Sequence, residues 1–398
     1  MITDFAVTKA MFHLPKGMIY LDGNSLGPLP KAAAARVEQA ITAEWGEKVI
    51  TGWNRAGWMA QPTELGDRIG RLIGAEPGHV VLGDTLSIKV YQALAAAIDL
   101  VPDRRVILTD SGNFPSDIYM AEGLIKSLGR GHELRVVAPK DVANHINDDL
   151  AVLMLTQADY RTGRLHDMKA LTAKAQAAGA VTCWDLAHTA GAMAVDVQGC
   201  NADFAVGCTY KYLNAGPGAP AFIYVAPRHI DRCQPALSGW LGHEAPFAFD
   251  LDYRPGTGIE RMRVGTPPVL QMAALDAALA IWDQVDMVAL RAASIALTEH
   301  FIAEIEARCP MLTLASPRDP HQRGSQVSFA FAEGYPVMQA CIARNVIGDF
   351  RAPDLMRFGF CPLFIDMADV DAAVTVIADV MDRKLWDNPR YKKVARVT

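Results

Sequence analysis

Two residues 26 positions apart, Asp185 and Lys211, are of types that could do chemistry together. Asp185 ends the apolar run AVTCWD, while Lys211 follows the apolar run DFAVGCTY and precedes the glycine-rich turn NAGPGAP. A carboxylate at the end of a buried strand is costly unless it meets a cation. A strand-end lysine in a cleft can attack an aldehyde, and neighbouring glycines let backbone pass close to a bound group. These are requirements of pyridoxal phosphate chemistry: an amine to join the aldehyde, a carboxylate to keep the pyridine nitrogen protonated, donors for the phosphate and a surface for the ring. Each residue alone also fits a structural role, Asp185 as a cap for LAHTAGA and Lys211 as a surface residue at a turn.

The elements that must position them follow a regular rhythm. Short β-rich runs (VVLGD, RVILTD, AVLMLT, AVTCWD, DFAVGCTY) alternate with helical stretches such as IKVYQALAAAIDL, SDIYMAEGLIKSL and DMKALTAKAQAAG. That alternation predicts βαβ units on a mostly parallel sheet, an α/β fold whose ligands collect at the carboxyl ends of strands. The polar residues at those ends are Asp84 to Ser87, Asp110 to Asp117, Thr156, Asp185, Tyr210 and Lys211. After the GTPP turn at 265–268 the pattern predicts one long helix over 269–308 and then a smaller α+β C-terminal domain. The expected division is an N-terminal segment (1–50), a large cofactor-binding domain (51–275), and a linker helix with the small domain (276–398).

Composition narrows the partners. The chain has 398 residues, 51% of them hydrophobic, enough for two domains. Its formal charge of −6 is spread without blocks, which argues against nucleic acid and for a small-molecule partner. Seven cysteines, with no CxxC pair, read as reduced core residues. No metal site is expected. The N-terminus lacks a cationic segment followed by an apolar stretch, and no run approaches the ~20 apolar residues of a membrane span, so a cytoplasmic protein is expected.

Longer motifs carry a resemblance. The Asp-x-x-His pattern with a lysine 26 positions after the aspartate resembles the aminotransferase class V group of fold type I pyridoxal phosphate enzymes. YLDGNSLGPLP (20–30), GNFPSD (112–117), WDLAHTAGAMAVDV (184–197), GCTYKYLNAGPGAPAF (207–222), SGWLGH (238–243) and MRFGFCPLF (356–364) are similar to signatures of bacterial-type kynureninases. The resemblance implies the large-domain, small-domain fold of that group, with pyridoxal 5'-phosphate between domains at the interface of a homodimer. It implies hydrolytic cleavage of the β,γ carbon–carbon bond of L-kynurenine, giving anthranilate and L-alanine in tryptophan catabolism.

Site roles follow from the same resemblance. Leu86 and Ser87 are cofactor contacts, at a helix start where free N–H groups suit a phosphate. Lys89 departs from the asparagine expected in that corner. Phe114 covers the pyridine ring, and Pro115, Ser116 and Asp117 share its loop. Thr156 lies near the ring's 3-oxygen, and His188 beside the cofactor. Tyr210 donates to the phosphate and relays a proton. Trp240 and Thr266 reach the phosphate from the neighbouring subunit, Arg357 holds the substrate's α-carboxylate, and Trp53 lies near its aniline ring. Composition alone leaves plainer roles open: Ser87 as an N-cap, Asp117 as a helix cap, Phe114, Trp53 and Trp240 as packing, His188 as structural, and Arg357 as a surface arginine. A cysteine desulfurase or selenocysteine lyase of the same fold would need a reactive cysteine on a small-domain loop, whereas Cys341 lies in a helical pattern and Cys361 in a strand-like one. A catalytically silent cofactor-binding module is disfavoured by the lysine, aspartate and arginine together.

Overall fold

The computed structural model describes residues 3–393. Seven strands form the main sheet: β1 (Val80–Leu82), β2 (Val106–Asp110), β3 (Glu133–Val137), β4 (Leu150–Thr156), β5 (Val181–Asp185), β6 (Phe204–Gly207) and β7 (Phe222–Val225). Their spatial order is β1-β7-β6-β5-β4-β2-β3. Strands β2 to β6 are parallel, and β7 runs antiparallel to both β6 and β1. The fold is therefore the α/β class with a mostly parallel sheet read from the sequence.

Every residue of β4 and β5 is buried, which is why both read as unbroken apolar runs rather than alternating ones: the sheet is covered on both faces. Successive residues still part company. Cys183 packs in a layer with Val90, Leu94 and Ile107, whereas Trp184 belongs to a layer that continues through Phe301, Phe329 and Phe358. Helix Leu86–Leu100 lies across β5 and β6, and its run of alanines lets it pack closely.

A second, antiparallel sheet follows in the order β8-β9-β11-β10, from β8 (Thr313–Leu314), β9 (Gln326–Ala330), β10 (Asp349–Arg351) and β11 (Leu355–Gly359). The N-terminal segment is tied to this part of the chain, because Ile19–Tyr20 pairs in parallel with Val346–Ile347. Gly27 of the same segment donates its N–H to the Tyr210 carbonyl at 2.8 Å. A Cβ there would fall 2.3 Å from the Lys211 carbonyl oxygen, so only glycine allows this approach.

The single helix expected over 269–308 is two helices, Val269–Trp282 and Met287–Arg308. Asp286 makes the break. Its carboxylate accepts from the N–H groups of Val288 at 2.8 Å and Ala289 at 3.1 Å, capping a new helix.

Candidate active site

The site is assembled where β4, β5 and β6 end. Thr156 and Asp185, the last residues of β4 and β5, are register partners on adjacent parallel strands. Beyond β6 the chain turns through Cys208 and Thr209 and brings Tyr210 and Lys211 into the same cleft. Lys211 Nζ lies 3.0 Å from His188 Nε2, with the rings of Phe114 and Tyr210 centred 5.7 Å and 5.8 Å away. Ser87 and Ser116 share a hydrogen bond of 2.8 Å between their hydroxyls. Each stands in the first turn of a helix, Leu86–Leu100 and Pro115–Leu128 respectively. Two helix N-termini thus converge with hydroxyls on the same cleft, whose walls include Leu86, Ser87 and Ser116.

Several plainer readings fall away here. Thr85, not Ser87, occupies the N-cap position of its helix. Asp117 caps nothing: both its carboxylate oxygens are buried without a hydrogen-bond partner among the described residues. Arg357 is 1% exposed and so is not a surface residue. Phe114 is 41% exposed, its ring open on one side and edge-on to Tyr160 at 5.1 Å on another. Pro115 opens its helix and does not line the cleft.

The electrostatics are those of a cleft short of positive charge. Burial lifts the Asp185 carboxyl to about 6, against the pull of the Lys211 cation and of the Ala187 N–H, which Asp185 accepts at 2.9 Å. Asp117 is held well above the usual carboxylate range by burial and then by the Asp185 charge. Burial, followed by the Lys211 and arginine charges, keeps His188 well below its ordinary value, so its Nε2 is an acceptor for the lysine. Burial likewise raises the Tyr210 hydroxyl, which stays a donor. Two buried carboxylates facing one lysine leave room for a second cation such as a pyridinium, and the paired serines at two helix N-termini suit a phosphate. The residues present therefore fit pyridoxal phosphate.

Tyr160, which sequence reasoning missed, also lines the cleft. It sits in an irregular loop clamped by β9. Gln326 Nε2 donates to the carbonyls of Tyr160 at 3.1 Å and Arg161 at 3.2 Å, and Ser328 Oγ donates to Arg161 at 2.6 Å. Arg357 also donates to the Tyr160 carbonyl, and its guanidinium lies 6.0 Å from the Tyr160 ring centroid. Arg357 thus stands one residue outside the cleft.

Trp53, Trp240 and Thr266 are not in the Lys211 cleft of their own chain. Trp53 and Trp240 meet edge to face at 6.4 Å and line a separate apolar cavity with Phe247 and Phe249. Leu241 donates its N–H to the Val264 carbonyl at 3.2 Å, which joins this face to Gly265 and Thr266. Lys89 is fully buried, its Nζ 3.0 Å from Gln92 Oε1, 3.3 Å from the Met262 carbonyl and 3.5 Å from Asp84 Oδ2. Burial brings its amine down to about 8. The lysine in the asparagine's slot therefore ties Met262 to Asp84 and does not line the Lys211 cleft.

A family profile described as kynureninase C-terminal domain matches residues 290–377. A curated kynureninase from Burkholderia pseudomallei (strain 1106a) is 50% identical over 400 residues, covering 99% of this chain and 96% of that one. The chain belongs to the kynureninase family. Among solved structures, the apo cysteine desulfurase from Thermococcus onnurineus NA1 superposes with a TM-score of 0.79 at 17% identity, over 95% of this chain and 98% of that one. A C-DES variant with glycine covalently linked to its pyridoxal phosphate gives a TM-score of 0.77 at 16% identity, over 92% and 97% of the two chains. At such identities the likeness is one of fold. The kynureninase assignment also agrees with the cysteines. Cys341, inside helix Gly334–Ile342, and Cys361, just after β11, are both 1% exposed, and burial pushes both thiols up to about 12. Neither is the accessible, loop-borne thiolate a desulfurase needs.

Proposed function

We propose that the protein is a pyridoxal phosphate-dependent kynureninase, which adds water across the β,γ carbon–carbon bond of L-kynurenine to release anthranilate and L-alanine. The observation that carries this reading is a lysine, two buried carboxylates and two helix N-termini in one cleft of a chain half identical to a curated kynureninase over its length. Bound there, pyridoxal phosphate supplies an electron sink for charge released at the substrate's α-carbon.

The chain's own residues do the rest. Lys211 would hold the cofactor through Nζ, and the same amine would move the proton at the substrate's α-carbon. His188 Nε2, accepting from Nζ, orients the lysine. Asp185 would keep the ring nitrogen protonated, with Thr156 beside it at the end of the neighbouring strand. Leu86, Ser87 and Ser116 would bind the phosphate, Tyr210 would donate to it and relay protons, and Phe114 would cover the ring. Asp117, buried and without a partner among the described residues, would add a second carboxyl beside Asp185 to hold the cationic ring. Arg357, behind Tyr160 and with Nε and Nη2 turned to Asp349, would supply the positive charge that holds the α-carboxylate.

Trp240 and Thr266 complete the phosphate site of the partner in a homodimer. Because Trp53 touches Trp240, the aniline-ring wall it forms belongs to that same partner site. This is a cytoplasmic enzyme in our reading, and no helix among the described residues is long and apolar enough to cross a membrane. The cofactor-loaded protein should show a visible absorption band that shifts on adding L-kynurenine. A band indifferent to L-kynurenine at millimolar concentration would contradict the reading.

A further inference from the structure

Beside the cleft, Arg357 is held in a compact ionic cluster that the sequence gives no hint of. Arg357 Nε donates to Asp349 Oδ1 at 2.6 Å, and Nη2 donates to Asp349 Oδ2 and, at 3.1 Å, to Ser25 Oγ. Arg351 Nη2 reaches the same Asp349 Oδ2 at 2.8 Å. Against the cost of burial, the Arg357 hydrogen bonds and both arginine charges hold the Asp349 carboxyl below its ordinary value. Two cations therefore share one firm anion, leaving a net positive charge next to the cleft.

A second carboxylate, Asp22, completes the cluster. It lies in the N-terminal segment, bridged in parallel to Gly359 at the end of β11. Its Oδ1 is buried and has no hydrogen-bond partner among the described residues. The groups that face it are Tyr20 and Ser25 of its own segment, Asp349 and Arg351 of β10, Arg357 of β11 and Tyr212 beyond Lys211. Both phenols are raised by burial and stay neutral, so the charges that act most on Asp22 are Asp349 and the two arginines. If Asp22 is ionised, the cluster is neutral and has nothing to offer an anion. If Asp22 carries a proton, the cluster keeps one positive charge for a carboxylate.

We infer that Asp22 is the proton-carrying member of the carboxylate site: it must be protonated for a carboxylate ligand to bind beside Arg357, so binding takes up a proton and Asp22 limits affinity at high pH. The inference rests on Arg357 being the ligand's carboxylate partner. Burial and then the Asp349 charge push the Asp22 carboxyl up to about 7, and a bound carboxylate, a further like charge, pushes it higher. The sign follows. Below about pH 7 the site is already protonated, and above it each ligand must bring a proton, so affinity falls by up to about tenfold per pH unit.

The test is calorimetry of L-alanine, the amino acid product, binding to the cofactor-loaded protein in buffers of different ionisation enthalpy at about pH 6 and pH 8. The parent should take up most of one proton more than Asp22→Asn at about pH 8, and Asp22→Asn should bind L-alanine roughly tenfold more tightly there. Equal proton uptake and equal affinity in the two proteins overturn the inference. Arg357→Lys separates it from the reading beneath it. Unchanged affinity in Arg357→Lys removes the carboxylate site and the inference together. A loss there, with Asp22→Asn matching the parent, removes the inference alone. Should Asp22→Asn not fold, the parent decides: an uptake that does not rise between about pH 6 and pH 8 overturns it.

Discussion

Asp185→Asn changes one atom in a buried side chain, and its cost can be worked from the charge environment. Asp185 is 4% exposed, and burial lifts its carboxyl from an ordinary 3.8 to about 6. A rise of roughly 2 corresponds to about 3 kcal/mol needed to keep the group ionised in the empty cleft. A pyridinium partner must return at least that much, and an amide cannot hold the ring nitrogen protonated. Turnover in Asp185→Asn should therefore fall at least about a hundredfold. The same energy appears with the opposite sign in the cofactor-free protein. Because the folded-state value lies above the unfolded one, Asp185 costs nothing below about pH 4 and its full amount above about pH 6. Cofactor-free Asp185→Asn should then be more stable than the parent at pH 8, by up to about 3 kcal/mol, with the gap closing as pH falls. Steady-state turnover of the loaded proteins and urea midpoints of the cofactor-free ones at pH 5 and 8 give both readouts. Near-normal turnover with cofactor retained, or no stabilisation at pH 8, refutes the reasoning.

The other predictions concern attachment, sharing and choice of substrate. Borohydride reduction of the loaded protein should fix the cofactor to Lys211 in peptide maps, and a label on another lysine removes the assignment. Mixing equal amounts of inactive Lys211→Ala and Trp240→Ala chains should restore about a quarter of parental activity, because half the dimers then carry one intact site; no recovery after proven subunit exchange argues against a shared site. Trp53, Gly265 and Thr266 resemble the residues of family members that prefer the unsubstituted ring. An apolar indole offers little to a 3-hydroxyl that must shed water. kcat/KM should therefore be higher for L-kynurenine than for 3-hydroxy-L-kynurenine, by about a hundredfold at most; the reverse preference, measured on one preparation, counts against this pocket.

What the sequence made legible was whatever local pattern encodes. The alternation of apolar runs and helices led to β4, β5 and β6, and the rule that ligands gather at strand ends led to Thr156, Asp185 and Lys211. Tyr160 was not legible, because it lies past a strand end in an irregular loop held by side chains of β9 and by Arg357, some 160 to 200 residues later. The Asp22, Asp349 and Arg351 cluster was hidden for the same reason, since Asp22 lies more than 300 residues from the other two and meets them through the pairing of Ile19–Tyr20 with Val346–Ile347. Helical periodicity continued through Asp283 to Asp286, and only the capping carboxylate of Asp286 reveals the break. Trp53, Trp240 and Thr266 entered through the resemblance, and one chain alone keeps them apart from Lys211.

The central claim is hydrolysis of L-kynurenine at a lysine-bound cofactor. Purified protein loaded with pyridoxal phosphate and given L-kynurenine should release anthranilate, read by its fluorescence, together with L-alanine in a one-to-one ratio, and Lys211→Ala should abolish both. Release of neither product by loaded, folded protein, or equal release by Lys211→Ala, would contradict the account.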